Sequence, residues 1–558
     1  MSDLLENSDT IPDILQPKPL ERAVNVTVET NVLEPVVHEY NSNTGGVCRF
    51  VFPAKGVLDA PNCTINFEMC CGDANATGTD LQSTFPLWSG GLCMFKRATF
   101  RCGGQILSQI QDCGLYATIK SGFNSKDYQQ NVVDVKHMAM NGAFTKVLNQ
   151  PSGEIANAGF IGGAASWAVP GYSQVMNPYI DQQDVYGCQA EGLVNANVVH
   201  VKQTNKLLRS FDQRGRGSQV AIRLSDLFPY FKENMLPLLG MAQCELEIEW
   251  NSSVANTVQL QQVINNVVIP ANPDLAAATT NQHAQFAATP FMALDYIHYP
   301  DNEREKIMLA IQKGLTMNFR EVVRTKGVNP ALPATGATQT NVDVQSSHLL
   351  GMAGKAVQNI YVVKQVQRTN QSQAQLDSRL NGVPLVNNHQ YNQFKSVNGV
   401  NESYNIFINN NKLYNRNISN TATQYHYLTQ CENKYSCMPC EYDAFNYNAD
   451  WNNVLNNSSV AGVADNTDNN NGETGRWCSG QKHVLGIPLM KYPEMGSVPG
   501  NETRQGSAPI EFTYSTAKTL SNPAVPASDT DQAIDLTFFI EYRRSMTITP
   551  MGVNVSDL

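Results

Sequence analysis

A chain of 558 residues exceeds what one hydrophobic core usually serves, so two large units of roughly 200 to 250 residues each are expected. Hydrophobic residues at 42% suffice for packed cores, while charged residues at 16% fall well below the roughly 25% of an ordinary soluble domain, which suits a surface covered by neighbours. The net charge of −10 and the scattered Lys and Arg argue against direct wrapping of nucleic acid, which needs a basic patch; the densest basic spots, Arg209 to Arg216 and the pair Arg543 and Arg544, are short and read as solvated or interface charges.

Residues Met1 to Leu20 are acidic and lack the apolar core of a signal peptide. No later run is long and apolar enough to span a membrane. The sequence therefore reads as one kept in a cytosol-like compartment, with its 13 cysteines as thiols. Leu4, Leu5, Ile11, Ile14 and Leu15, spaced among acids and prolines, cannot fold alone and read as an arm that gains order only by docking.

Short alternating runs punctuated by Gly, Asn, Pro and Ser then dominate, the mark of sandwiches and barrels. Val24 to Glu29, Val47 to Phe52 and Cys63 to Met69 are strand candidates, the last with Ile65 and Phe67 inward. Cys244 to Trp250 alternates strictly and reads as the closing strand of the first half. Asn251 to Thr289, with Pro270 and Pro273, reads as a connector. The clearest helix follows, with Asn302 and Glu305 as a capping box, Ile307, Ala310 and Ile311 as its apolar stripe and Gly314 as its end. It leads into the strand Leu315 to Phe319. Gln371 to Gly475 is Asn-rich, yet Tyr404, Phe407, Tyr414, Tyr427 and Trp451 are interleaved, so an ordered insertion on the second unit is expected. Ile534 to Tyr542 reads as the closing strand of the second half, with one apolar and one polar face. A duplicated sandwich accounts for the two closing strands. The expected division is an arm over 1–24, a first unit over 25–255, a connector over 256–300, a second unit over 301–550 with the insertion at 371–475, and a tail over 551–558.

The sequence offers little for catalysis. It has no phosphate-cradling Gly-Lys-Ser/Thr loop, and Gly159-Phe160-Ile161-Gly162-Gly163 lacks the spacing of a dinucleotide fingerprint. Leu87 stands where a nucleophile elbow around Ser89 would need Gly. Cys437-Met438-Pro439-Cys440, with Cys431 before and Cys478 beyond, is a weak zinc candidate, because paired thiolates two residues apart can grip one ion; buried or adventitious thiols are the blander reading. A calcium loop fails, since setting Gly472 on its invariant glycine puts Thr467 first and Cys478 last. Glu245, Glu247 and Glu249 line one strand face and read as a solvated or interface face before a glycosidase pair. The expectation is no enzyme, no cofactor and no metal.

Lys206 to Asp212, Ile222 to Phe231, Leu246 to Trp250 and Gly351 to Ile360 resemble segments of the double jelly-roll major capsid proteins of virophages and polinton-like viruses. Lys206 to Asp212, then Ile222 to Phe231, then Leu246 to Trp250 follow the order at the end of that family's first jelly roll. Gly351 to Ile360 is similar to the strand that follows the joint, and Leu315 to Phe319 fits as well. The resemblance implies an all-β fold of two tandem antiparallel jelly-roll sandwiches with long loop insertions and a few short helices. It further implies a homotrimer forming a pseudo-hexameric capsomer in the icosahedral shell of a double-stranded DNA virus. Implied partners are neighbouring capsomers and penton and minor capsid proteins, with no sequence-specific nucleic acid and with an inner membrane left open. The rival reading is a spike, fibre or carbohydrate-binding β-sandwich, which predicts a single sandwich with an aromatic platform or a repeat array.

Overall fold

The computed structural model describes residues 26–41, 44–71, 81–84, 89–124, 218–251, 259–264, 267–270, 284–330, 341–366, 401–432, 484–489, 509–519 and 533–557, with short pieces elsewhere. The N-terminal arm and all of Arg209 to Arg216 lie outside them.

The first unit is built from β1 (Thr27–Leu33), β2 (Val37–Asn41), β3 (Gly45–Phe52), β4 (Thr64–Cys71), β5 (Phe95–Cys102), β6 (Gln105–Gln111), helix α1 (Cys113–Ser121), β7 (Ser218–Arg223), β8 (Cys244–Trp250) and β9 (Phe291–His298). Period-two patterning makes these strands. In β8, Cys244, Leu246, Ile248 and Trp250 are buried while the intervening glutamates are half-buried, so one face closes a core and the other meets solvent. Gly103 and Gly104, at φ +56 and +84, join β5 to β6 in the left-handed backbone that a two-residue hairpin needs.

Strand pairing runs β1-β9-β4-β7 in one sheet and β2-β3-β8-β5-β6 in the other. Setting the extra strand β2 aside, the chain order within the sheets is first-eighth-third-sixth and second-seventh-fourth-fifth. That is the double Greek key of a jelly roll.

The second unit opens with α2 (Asp301–Gln312) and continues through β10 (Leu315–Asn329), β11 (Asn341–Leu349), β12 (Ala356–Val366), β13 (Asn401–Ile408), β14 (Asn411–Lys412), α3 (Thr421–Glu432), β15 (Val484–Pro488), β16 (Ile510–Thr519), β17 (Ile534–Thr549) and β18 (Gly552–Asp557). Its sheets are β10-β17-β12-β15, with β18 also on β17, and β11-β16-β13-β14. Apart from β18, the order is again first-eighth-third-sixth and second-seventh-fourth-fifth, so one topology occurs twice in the chain.

Four details differ from the sequence reading. Phe291–His298 lies inside the range assigned to the connector, yet it pairs with β1 and β4 as the eighth strand of the first unit, because Met292, Leu294 and Tyr296 alternate into the core. Cys244–Trp250 is consequently the seventh strand, and the two strands taken as equivalent closures are not equivalent. Asn401–Ile408 lies inside the Asn-rich insertion but is a sheet strand, carried by buried Tyr404, Ile406 and Ile408. Helix α2 is capped by the extended residue Pro300 with no side-chain cap bond; Asp301 and Glu303 sit in its first turn, where they oppose the positive end of the helix dipole. Ile307 and Ile311 are its buried stripe, and Gly314 at φ +89 ends it as expected.

Helix α3 lies on β15 at a point where only glycine fits. A Cβ on Gly486 would stand 2.5 Å from the Leu428 Cα, so a side chain there must push backbone apart. Gly486→Val is expected to lower stability by about 3 kcal/mol, read as a lowered denaturation midpoint; an unchanged midpoint would show that α3 is not tightly seated.

Candidate functional site

The geometry of interest lies at the seam where the two units meet. One continuous core runs from the first sandwich into this seam and includes Phe319, Tyr361, Val363 and Phe539 of the second unit. A second core, with Ile534, Leu536, Phe538 and Ile540, fills the second sandwich. Strand β17 therefore has both faces covered: even-numbered residues from Ile534 to Ile540 enter their own sandwich, and Phe539 faces the first unit. The polar face expected for Ile534 to Tyr542 is instead the seam face, and Thr537 and Glu541 on the strand are buried.

The first unit contributes the β6 edge, α1 and the 224–240 segment. Tyr116 lies 5.6 Å from Phe539, ring centre to ring centre, and Tyr230 lies 4.8 Å from Phe319 at 90°. Asn234 Nδ2 donates to the Asn318 carbonyl at 3.3 Å.

Charges set into this apolar contact fix its register. Glu541 is wholly buried and takes Lys120 Nζ at 2.5 Å, the Tyr116 hydroxyl at 2.6 Å, Asn359 Nδ2 at 2.9 Å and an Arg320 guanidinium nitrogen at 3.5 Å. Burial by itself raises its carboxyl, but the charges of Lys120 and Arg320 and the bonds from Lys120 and Tyr116 outweigh that and bring it down to about 2. Lys120 also sits 4.7 Å over the Tyr361 ring. Asp112, in left-handed backbone at φ +49 just before α1, holds Arg324 at 2.5 Å. Glu321 accepts the Gln109 backbone N–H at 3.0 Å, and Arg544 donates to the Leu107 carbonyl at 3.3 Å. Burial pushes Glu321 up to about 7, against the Gln109 and Ser108 hydrogen bonds and the Arg544 charge.

A cleft of about 290 Å³ opens at the seam, lined among others by Tyr116, Lys120, Tyr128, His137, Asp226 and Arg320. Asp226 is clamped: Arg223 Nε donates at 2.9 Å, His137 Nε2 lies at 3.2 Å and the Tyr128 hydroxyl also donates to it. Burial raises this carboxyl, yet the His137 and Arg223 bonds hold it well below the usual carboxylate range. A carboxylate so fixed is a structural anion, poorly placed to exchange protons.

The candidates read from sequence fall as follows. Cys431 is buried in α3 with its thiol toward the Tyr427 carbonyl; Cys437, Cys440 and Cys478 lie outside the described residues, as does the Thr467 to Cys478 loop. Among the described residues, no group of three His, Cys, Asp or Glu side chains could hold a metal ion. Glu247 and Glu249 are engaged across the strand by Lys96, Arg97 and Arg101 at 2.5 to 3.7 Å, which fits a charged outer face. Arg544, read as a surface or interface charge, is spent on the contact between the units and on Asp557. The seam residues themselves escaped sequence reading because partners such as Tyr116 and Glu541 stand 425 positions apart.

No protein-family model matches the sequence, and no curated protein matches it. Among solved structures the chain is similar to the capsid protein of the virus PBCV-1, at 10% identity over 97% of this chain and 98% of that one, with a TM-score of 0.49. It is similar to a structure from the Sputnik virophage at 12% identity over 97% and 90%, TM-score 0.49, and to the mavirus major capsid protein at 10% identity over 97% and 93%, TM-score 0.46. The chain's own strand order, met twice, makes it a double jelly roll.

Two outcomes are expected at the seam. Glu541→Gln leaves Lys120 and Arg320 facing a neutral amide and should lower stability by about 3 kcal/mol, measured by thermal melting. Glu321 has a carboxyl raised in the folded chain, so its contribution is fully present below the ordinary value of 4.5 and lost as pH rises through about 7. Glu321→Gln should therefore melt at or above wild type at pH 8, with the gap closing toward pH 5; a gap independent of pH would refute the assignment.

Proposed function

We propose that the chain is a major capsid protein, three copies of which form a pseudo-hexameric capsomer that tiles the icosahedral shell of a double-stranded DNA virus. One observation carries this reading: the seam is heterologous, and among the described residues its counterpart on the first unit carries exposed apolar side chains. Within the chain, the β6–α1 flank of one jelly roll covers the outer face of the first sheet of the next. Among the described residues nothing covers Val28, Val32 and Phe291 on the β1 and β9 strands of the equivalent sheet of the first unit, which are 59%, 63% and 40% exposed.

Val28, Thr30 and Val32 share one face of β1 by the period of two, in register with Ile297, Asp295 and Ala293 of β9. Exposed apolar side chains on a sheet-edge strand are an association hazard unless something covers them. Seating the second unit of another copy there repeats the seam, and head-to-tail contacts of this kind close into a ring when the rotation fits. With two units per chain, a ring of six such units closes at three chains.

The resemblance of Ile222 to Phe231 and Gly351 to Ile360 to capsid proteins supports the same reading, as does the low charge content. Loops leave a jelly roll at the ends of the sandwich, so long insertions project without disturbing the strands. The protein would reside in the virion shell, contacting neighbouring capsomers and penton and minor capsid proteins, with the N-terminal arm as a tie beneath the shell. No enzymatic activity is assigned to it.

Sedimentation of the purified chain should show particles of three copies. Val32→Asp should weaken their association at least ~10-fold while leaving the circular dichroism of the folded chain unchanged. A wild-type protein that sediments as single copies, or a trimer indifferent to the substitution, would remove the basis of the proposal.

A further inference from the structure

Cys102, at the end of β5, and Cys244, at the start of β8, are both 1% exposed and stand directly opposite each other across the two strands. The Gly103 N–H donates to the Gln243 carbonyl at 3.0 Å, which places the hydrogen-bonded pair one step beyond and makes Cys102 and Cys244 a non-hydrogen-bonded pair. At such a position the Cα atoms of antiparallel strands are about 4.5 Å apart, inside the roughly 4.4–6.8 Å that a disulfide spans. Both sulfurs also converge on one atom, the Ala242 carbonyl oxygen, at 3.3 Å from Cys102 and 3.5 Å from Cys244.

We propose that Cys102 and Cys244 form a redox site, a cross-strand thiol pair that closes to a disulfide on exposure to a small-molecule disulfide and reopens in a reducing compartment. The other described cysteines lack this arrangement. Cys48 faces Ile248 and His38 across its strands, and Cys63 is turned to the Asp59 carbonyl.

The chemistry balances by thiol–disulfide exchange. The Cys102 thiolate attacks one sulfur of the small disulfide and releases one small thiol. Cys244, after losing its proton, then attacks the Cys102 sulfur of the mixed disulfide and releases the second. The small disulfide is reduced to two thiols, the protein pair is oxidised, and no other reactant is needed. A hydrogen bond from Cys244 lowers the Cys102 thiol, which suits it to attack first.

Access comes from the end of the sandwich. Cys102 is followed by exposed Gly103, Gly104 and Gln105, and Cys244 is preceded by exposed Ala242 and Gln243. Opening of this hairpin end brings the pair to solvent without unfolding the sheet. Once formed, the bond ties the fourth strand of the first jelly roll to the seventh and encloses residues 103–243, which include β6 and α1 of the seam. A coat protein with this device would be loose while it assembles among reduced thiols and stapled once released.

The test uses the full chain under native conditions, equilibrated in mixtures of oxidised and reduced glutathione, then denatured, alkylated and mapped by peptide mass. The expected result is one linked peptide pair, Cys102 with Cys244, formed before any other link, reversed by dithiothreitol and accompanied by a melting temperature higher by ~5 °C. Cys102→Ala and Cys244→Ala should each abolish both the link and the shift. Both thiols remaining alkylatable in folded protein, a reaction that stops at the mixed disulfide, or earlier linkage elsewhere would each overturn the proposal.

Discussion

Phe319, Tyr361 and Phe539 project from the side of the β10-β17-β12 sheet that faces away from its own sandwich, and they are dry where Tyr230, Lys120, Phe123 and Tyr116 of the first jelly roll lie over them. Each such side chain left in water forfeits roughly 2 kcal/mol. The second unit is thus incomplete as an isolated fold. Its central sheet has the both-faces-buried character more familiar from parallel sheets between helices. That requirement sets where the first unit sits, and the remaining contacts follow from it.

Apolar burial alone would let the two units slide. The polar groups at the seam remove that freedom, because Glu541 has one place where two cations, a hydroxyl and an amide all reach it. A buried ion cluster adds little net stability over apolar packing, since desolvation offsets the Coulomb gain. Its effect is on which arrangement is allowed: any shift leaves a carboxylate or an ammonium dry and unpaired. Asp112 with Arg324 and Glu321 with the Gln109 amide act in the same sense at the β6 edge.

The strands were legible where one face is dry and the other wet. Cys244 to Trp250 and Cys63 to Met69 follow that pattern, and both are strands. Strand β17 was found but misread, because a period of two cannot announce a second apolar neighbour when Thr537 and Glu541 break the run. Phe291–His298 was lost to the composition of the Ala- and Asn-rich stretch before it, and Asn401–Ile408 to the asparagines around its alternating Tyr404, Ile406 and Ile408. The duplicated topology was anticipated through a pair of strands that turn out to be the seventh and the eighth. The seam and the Cys102–Cys244 pair were beyond reach from sequence, since both depend on register between residues far apart in the chain.

Tyr299 and Pro300 separate β9 from α2, and Lys313 and Gly314 separate α2 from β10. So short a tether leaves the second jelly roll no volume to explore away from the first, and docking of one on the other is an intramolecular event at high effective concentration. If six jelly rolls are to close a ring, every second junction is made before any two chains meet. Ring closure then needs a three-body encounter in place of a six-body one, which makes its yield far less sensitive to dilution than it would be for a chain carrying one jelly roll.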